Sequence, residues 1–332
     1  MLLGMLNKAL MMLAATTLVV GCGSSTAGTR PTTTPGTTPG TTPGTSAPAE
    51  PEAEPILPVT LTDDAGTRVT ITSVDRIVPV DGDLAEIVFA LGLGANVVAT
   101  DLSATYPPEA DALPQIGYQR ALSAEPIAAF EPTLVLATDL ARPVEIVDQL
   151  RSLHIPVVLV ERTATIDGPA AKIRAVARAL GVPRRGEALI STMQADIDAA
   201  LAAAATMTDH PRTLVLYVRG EQTQLIFGKG SGVDVLLPAV GAVDVAAELG
   251  IGESQQITAE ALLKAAPDVF ILTTTGLASV GGIDGLLSIP GIAETPAGTH
   301  RRVLTFEDQY LLGAGPRYGQ LLLELVDAIH QP

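Results

Sequence analysis

Two short segments of this 332-residue chain place a tyrosine two residues before an arginine: Tyr118-Gln119-Arg120 and Tyr217-Val218-Arg219. In an extended backbone, residues i and i+2 project to the same side. Each triplet therefore offers a phenol and a guanidinium together on one face. A phenolate oxygen is a hard ligand suited to ferric iron. A free phenol ionises only near pH 10, so such a ligand must be stabilised as the anion. A bound metal or a neighbouring guanidinium does this, and the same arginine can fork onto a carboxylate instead. Only 5 residues are Tyr, so two in this arrangement, one in each half of the chain, exceed what scatter would place. The alternative for Tyr217 is a buried strand residue whose hydroxyl finds a backbone partner.

Other reactive side chains lack such company. The four histidines, His154, His210, His300 and His330, stand apart from any partner motif and are expected to be structural. Gly228-Lys229-Gly230-Ser231-Gly232 sits between an expected strand and an expected helix. It either presents backbone N–H groups to an anion or is a flexible turn, and it lacks the earlier glycine of a phosphate-binding loop. Arg317, in Gly313-Ala314-Gly315-Pro316-Arg317-Tyr318, either faces a cleft or starts the last helix. HExxH, GxSxG and the dinucleotide glycine fingerprint are all missing, so no enzyme is expected.

The formal charge is -16, with 36 acidic residues against 20 Lys and Arg. That disfavours nucleic-acid partners, which require clustered cations. Residues 9–20 form an apolar run too short to span a bilayer. It follows Lys8 and ends at Val19-Val20-Gly21-Cys22. Cys22 is the only cysteine, which excludes an intramolecular disulfide. A lone Cys behind an apolar run resembles a bacterial lipobox. That resemblance implies cleavage before Cys22, lipidation there, and anchoring on the outer face of the cell membrane. Residues 23–55, with Thr-Thr-Pro-Gly repeated, cannot bury a core and read as a disordered tether.

The elements that would hold the two triplets follow. Short strands are expected at 59–61 and 68–71, then alternating β and α: strands at 77–80, 97–100, 134–137 and 157–160, with helices at 84–91, capped by Asp83, and 144–153. Residues 168–207 are Ala-rich and helical, broken only at Gly181-Val182-Pro183. The alternation resumes with strands at 213–218, 269–273 and 303–305 and helices at 233–240, near 286, and 318–329. The organisation expected is a signal segment (1–22), a tether (23–55), a first α/β lobe (56–167), a long linking helical segment (168–207) and a second α/β lobe (208–332). Two doubly wound lobes joined by one backbone helix leave a ligand cleft between them.

The lobes echo one another. Leu122-Ser123-Ala124-Glu125, with Glu131-Pro132 after it, parallels Ile257-Thr258-Ala259-Glu260, with Ala266-Pro267 after it. Ser123 and Thr258 are expected helix caps. Residues 74–330 resemble the helical-backbone class of ABC-importer binding proteins for haem, siderophores or cobalamin, through Asp83-Leu84-Ala85-Glu86-Ile87-Val88-Phe89-Ala90-Leu91-Gly92 and Glu131-Pro132-Thr133-Leu134-Val135-Leu136. The segment from Leu113 to Glu125 is most similar to the haem branch. The resemblance implies an extracytoplasmic, monomeric carrier of ferric haem. Tyr118 and, in some members, Tyr217 would ligate the iron. Arg120 and Arg219 would support them, with Gln119, Lys229 and Arg317 around the pocket. Glu125 and Glu260 would dock on the permease, which works with its ATPase. Siderophore or cobalamin binding on the same fold, or a non-transport surface lipoprotein, remain the alternatives.

Overall fold

The computed structural model describes residues 54–331. Cys22, the apolar run before it and nearly all of the Thr/Pro/Gly tether lie outside the described residues.

The first strands, β1 (Val59–Thr62) and β2 (Arg68–Ile71), form an antiparallel hairpin. Three fully apolar segments follow: β3 (Ile77–Val80), β4 (Leu134–Ala137) and β5 (Val157–Leu159). They pair in parallel in the order β3-β4-β5. Their side chains alternate between two apolar clusters. Ile77, Leu134 and Leu136 face the centre of the molecule, and Val78, Val80, Val135 and Ala137 face the outer helices. The expected strand at 97–100 contributes only isolated bridges, Ile77 to Val97 and Thr100 to Gln115. The expected cap at Asp83 is also corrected. The helix spans Gly82–Ala90 with Asp81 at its N-cap, and Asp83 is buried in the first turn.

The linking segment is two helices, Gly168–Ala179 and Pro183–Ala204. Pro183 opens the second, where its missing N–H costs nothing. Gly181 adopts φ +71, and a Cβ there would lie 2.6 Å from the Ile56 carbonyl oxygen, so a side chain is excluded. The 22-residue second helix extends about 33 Å. Its inner face, Ile190, Met193, Ile197 and Ala200, packs in one cluster with Leu321, Leu322, Leu325, Val326 and Ile329 of the last helix, Tyr318–His330. Gly319 lets these two helices approach closely, since a Cβ on it would meet the Met193 carbonyl oxygen at 2.6 Å. Each such Leu or Ile contributes about 2 kcal/mol through burial.

The second sheet contains β6 (Arg212–Arg219), β7 (Thr223–Phe227), β8 (Val243–Asp244), β9 (Ser254–Gln256), β10 (Val269–Thr273) and β11 (Val303–Phe306), in the order β11-β10-β6-β7-β9 with β8 on β6. β10, β11 and β8 run parallel to their neighbours, while β7 and β9 add antiparallel. The sheet is therefore mixed, beyond the parallel α/β pattern. Leu214, Leu216 and Val218 face the outer cluster. Val215 and Phe227 face the same central cluster as β3 and the linking helices. One apolar core thus runs continuously from the first sheet, through the linking helices, to the second.

Candidate functional site

Tyr118 lies on a loop that the segment around Thr100 and Leu102, beside the first sheet, holds by backbone hydrogen bonds. Thr100 donates its N–H to Pro114 (3.0 Å), Ile116 donates to Thr100 (2.9 Å), and Leu102 donates to Gly117 (2.9 Å). Gln119 accepts from the Arg142 N–H at 2.8 Å, and Tyr118 accepts from the Ala121 N–H at 2.7 Å. The alternation read from the sequence is present: Tyr118 and Arg120 are exposed, while Gln119 between them is buried. Gln119 is therefore corrected from pocket wall to loop underside. Its Oε1 meets no hydrogen-bond partner, and its N–H donates to the Asp101 carboxylate. Asp101 also accepts from the Ser103 hydroxyl at 2.9 Å. Burial raises the Asp101 carboxyl to about 6 against these hydrogen bonds.

Tyr217 projects from β6 on the face shared with Val215. Its ring stacks on Phe227 at 5.2 Å with an interplanar angle of 20°. The Arg219 guanidinium carbon lies 4.4 Å from the ring centroid. Arg219 donates to the Val218 carbonyl and the Thr273 hydroxyl, both at 2.9 Å, and pairs with Asp308. It is thus held against the ring of its own triplet. Burial pushes the Tyr217 phenol above its ordinary value. Arg219 and Arg120 pull it down, and Tyr118 and Asp308 push it up. Two of these four, Tyr118 and Arg120, come from the other lobe, so both triplets occupy one electrostatic neighbourhood. Among the described residues, neither the Tyr118 nor the Tyr217 hydroxyl meets a hydrogen-bond partner.

The remaining candidates are distributed differently. Arg317 does not reach into the site as a free cation. It forks onto Glu86 of the first lobe at 2.8 and 2.9 Å and lies 3.6 Å from the Tyr106 ring centroid and 4.7 Å from that of Tyr310. Beside it, the Gln309 amide nitrogen donates to the Gly82 carbonyl and Glu86, and its oxygen accepts from the Thr105 and Tyr106 N–H groups. These contacts tie the lobes together. Sequence reading missed Asp101, Glu86, Asp308 and Gln309. The last two follow β11 at the carboxyl end of a parallel strand, where functional groups of such sheets collect; that position was the available signal. Lys229 is exposed. The N–H groups of Gly230 and Gly232 donate to Asp234 at 2.9 and 3.0 Å, so the glycine loop does not hold them out for an anion. Glu125 and Glu260 are exposed in the first turns of Ala124–Ala128 and Ala259–Ala265. Thr258 caps its helix by accepting from the Ala261 N–H at 3.1 Å, whereas the Ser123 hydroxyl makes no cap bond. Two of the four histidines have structural partners: His210 contacts the Gly241 carbonyl, and His330 contacts Asp209 and the Val240 carbonyl, while His154 and His300 are exposed.

Residues 77–310, from β3 of the first lobe to the helix that follows β11 of the second, match the family described as periplasmic binding protein. The chain belongs to that family. Its fold is shared with the periplasmic heme-binding protein RhuT from Roseiflexus sp. RS-1 in apo form, at 47% identity over 77% of this chain and 98% of that one, with a TM-score of 0.76. The heme binding protein HmuT superposes with a TM-score of 0.79 at 35% identity, over 86% of this chain and 94% of its own. Further HmuT structures carry alanine in place of a tyrosine, of an arginine two residues after it, and of a histidine. The uncharacterized ABC transporter substrate-binding lipoprotein YvrC of Bacillus subtilis (strain 168) is 26% identical over 279 residues, covering 83% of this chain and 86% of YvrC.

Proposed function

We propose that this periplasmic binding protein captures ferric haem between its lobes and delivers it to an ABC-type importer. The reading is carried by the two Tyr-x-Arg triplets: Tyr217 holds its ring between Phe227 and Arg219, and Tyr118 and Arg120 of the first lobe both act on its phenol. Tyr118 and Tyr217 ligate the iron, and Arg120 and Arg219 favour the phenolate form. The enclosed space where the lobes meet, bounded by Thr163, Ser231, Val233, Leu311 and Tyr318, is only about 40 Å³. That space is too small to enclose a macrocycle, so the haem lies outside it, against the exposed Tyr118 and the Tyr217 face of β6. The likeness to RhuT and HmuT supports this cargo, and the HmuT tyrosine and arginine share the spacing of both triplets, Tyr118/Arg120 and Tyr217/Arg219.

Glu125 and Glu260 present the loaded protein to the permease, and Cys22 carries the lipid anchor, as the kinship with the YvrC lipoprotein supports. The test is hemin titration of residues 56–332 as wild type, Tyr118→Ala and Tyr217→Ala. A tyrosinate-type ferric spectrum that is lost in Tyr118→Ala and shifted in Tyr217→Ala is the expected result. A wild type that leaves hemin unbound would overturn the reading and favour a siderophore or cobalamin cargo.

A further inference from the structure

Gln309 belongs to the second lobe, yet its buried amide bonds to the first. The amide oxygen accepts from the Thr105 and Tyr106 N–H groups at 2.8 and 3.0 Å. The nitrogen donates to the Gly82 carbonyl and the Glu86 carboxylate, both at 2.9 Å, and to the Tyr106 carbonyl at 3.2 Å. Donor and acceptor ends are both fully used, and all of these partners lie in the first lobe. Each side of the contact leads to a tyrosine. The segment that carries Thr105 and Tyr106 begins at Leu102, whose N–H donates to the Gly117 carbonyl at 2.9 Å, directly before Tyr118. The same segment is fastened through Ser103, whose hydroxyl accepts from the Gly82 N–H at 2.9 Å. On the other side, the residue before Gln309 is Asp308, which pairs with Arg219 beside the Tyr217 ring. A short path through one amide thus connects the supports of the two triplets. Lys172 and Arg317 also join the lobes, but from the linking helix and the start of the last helix rather than from the segments that hold the triplets.

We propose that Gln309 is a positioning residue that sets the separation of Tyr118 and Tyr217 before haem arrives. This rests on the reading of the two tyrosines as the haem site. When the binding-competent arrangement is only partly populated, affinity falls by that fraction. A pin that holds the lobes at their working distance removes this penalty. The amide suits the task because it serves carbonyl, carboxylate and N–H partners together, which neither a carboxylate nor an aliphatic side chain can do.

The test exchanges amide and carboxylate across the contact. Gln309→Glu sets a second carboxylate against that of Glu86, where the amide nitrogen lies at 2.9 Å, and it cannot donate to the Gly82 and Tyr106 carbonyls. Combining it with Glu86→Gln returns one amide and one carboxylate to the same place. Gln309 and Arg317 bond the same Glu86 oxygen, so the exchanged carboxylate stays beside the arginine. Gln309→Met removes the hydrogen bonds without adding charge and covers the case in which Gln309→Glu does not fold. The full chain carrying Cys22→Ser takes one spin label on each lobe, at the exposed positions of Ser152→Cys and Ser288→Cys. Pulsed electron resonance then reads the inter-lobe distance without haem, and hemin titration reads affinity and spectrum. In Gln309→Glu and Gln309→Met the distance distribution broadens or lengthens and hemin binds about tenfold more weakly, with the tyrosinate-type spectrum unchanged at saturation. The exchanged pair restores both readouts. An unchanged distance in the single variants overturns the proposal, as does a changed distance with unchanged affinity, or a loss that the exchanged pair does not restore. A wild type that leaves hemin unbound while the distances shift as stated sinks the haem reading and upholds Gln309 as the residue that spaces the lobes.

Discussion

Replacing Lys172 with methionine is the most severe single change the structure points to outside the tyrosine site. Lys172 lies in the first linking helix, and its ammonium pairs with Asp83 of the first lobe, both side chains being almost fully buried at 4% and 3% exposure. The same ammonium donates to the Gly313 carbonyl of the second lobe at 2.9 Å. Methionine fills nearly the same volume without strain, so the loss is electrostatic. It leaves Asp83 buried beside Asp81 and Asp101, with Arg162, which is paired to Asp139, as the remaining cation acting on Asp81 and Asp83. Removing one partner of a buried pair costs about 3–5 kcal/mol, because the other charge remains desolvated. For a folded body of this size that lowers Tm by roughly 10 °C.

The assay is urea unfolding followed by circular dichroism at neutral pH, run on Lys172→Met, Asp83→Asn and the double variant. If the pair acts as described, the double variant recovers a large part of the loss, because asparagine can be buried with only its hydrogen bonds to satisfy. A Lys172→Met loss below about 1 kcal/mol, or a double variant as destabilised as the two singles summed, would refute the reasoning. Strict additivity would mean that the two groups do not depend on each other.

Three further outcomes are expected. Stability falls as pH rises from near 4 through about 6 and about 8. Asp101 and Asp81 bind protons more tightly folded than at their ordinary 3.8, so their contribution is fully present below that value and lost through the folded ones. Thermal melts across this range should show the decline and Asp81→Asn should flatten it, whereas stability that rises over the range contradicts the assignment. Arg317→Ala strands the buried Glu86 carboxylate and should cost about 3 kcal/mol. Arg317→Lys should recover little of it, since lysine can neither fork nor stack as arginine does, and calorimetry on both variants checks this. Glu125→Lys with Glu260→Lys should cut import through a reconstituted permease by about tenfold or more while leaving hemin titrations unchanged; a loss of hemin binding would count against the docking assignment.

What the sequence made legible follows the reach of its signals. β3, β4 and β10 are runs of buried, almost wholly apolar residues, and they begin and end where the pattern says. β9 is Ser254-Gln255-Gln256, exposed throughout, and carries no hydrophobic signal; only its pairing to β7 makes it a strand. The outward Tyr118 and Arg120 and the inward Gln119 follow from the period of two in an extended chain. The ion pairs that hold the surrounding elements together do not, because their partners are remote. Lys172 and Asp83 are 89 residues apart, and Arg317 and Glu86 are 231 apart. An acid at a helix start is ordinarily a cap, and local sequence predicts that role for Asp83. Its burial against Lys172 is a tertiary fact that local sequence does not carry.

The echo between the lobes decides how far capping accounts for Glu125 and Glu260. Ser123 and Thr258 adopt nearly the same backbone, φ -133 and ψ 152 against φ -131 and ψ 145. Glu131 and Ala266, each directly before a proline, both take left-handed φ values of 45 and 42. Such a conformation costs a non-glycine residue about 1 kcal/mol or more. Yet the cap bond itself is present only at Thr258. If capping were the common purpose, the bond would be the shared feature and the strained backbone the variable one. The reverse holds: both lobes keep the path of the chain, with an exposed glutamate at the same offset, while the cap differs. That ordering supports a role for the two carboxylates outside their own helices, at a surface where a partner meets both lobes at once.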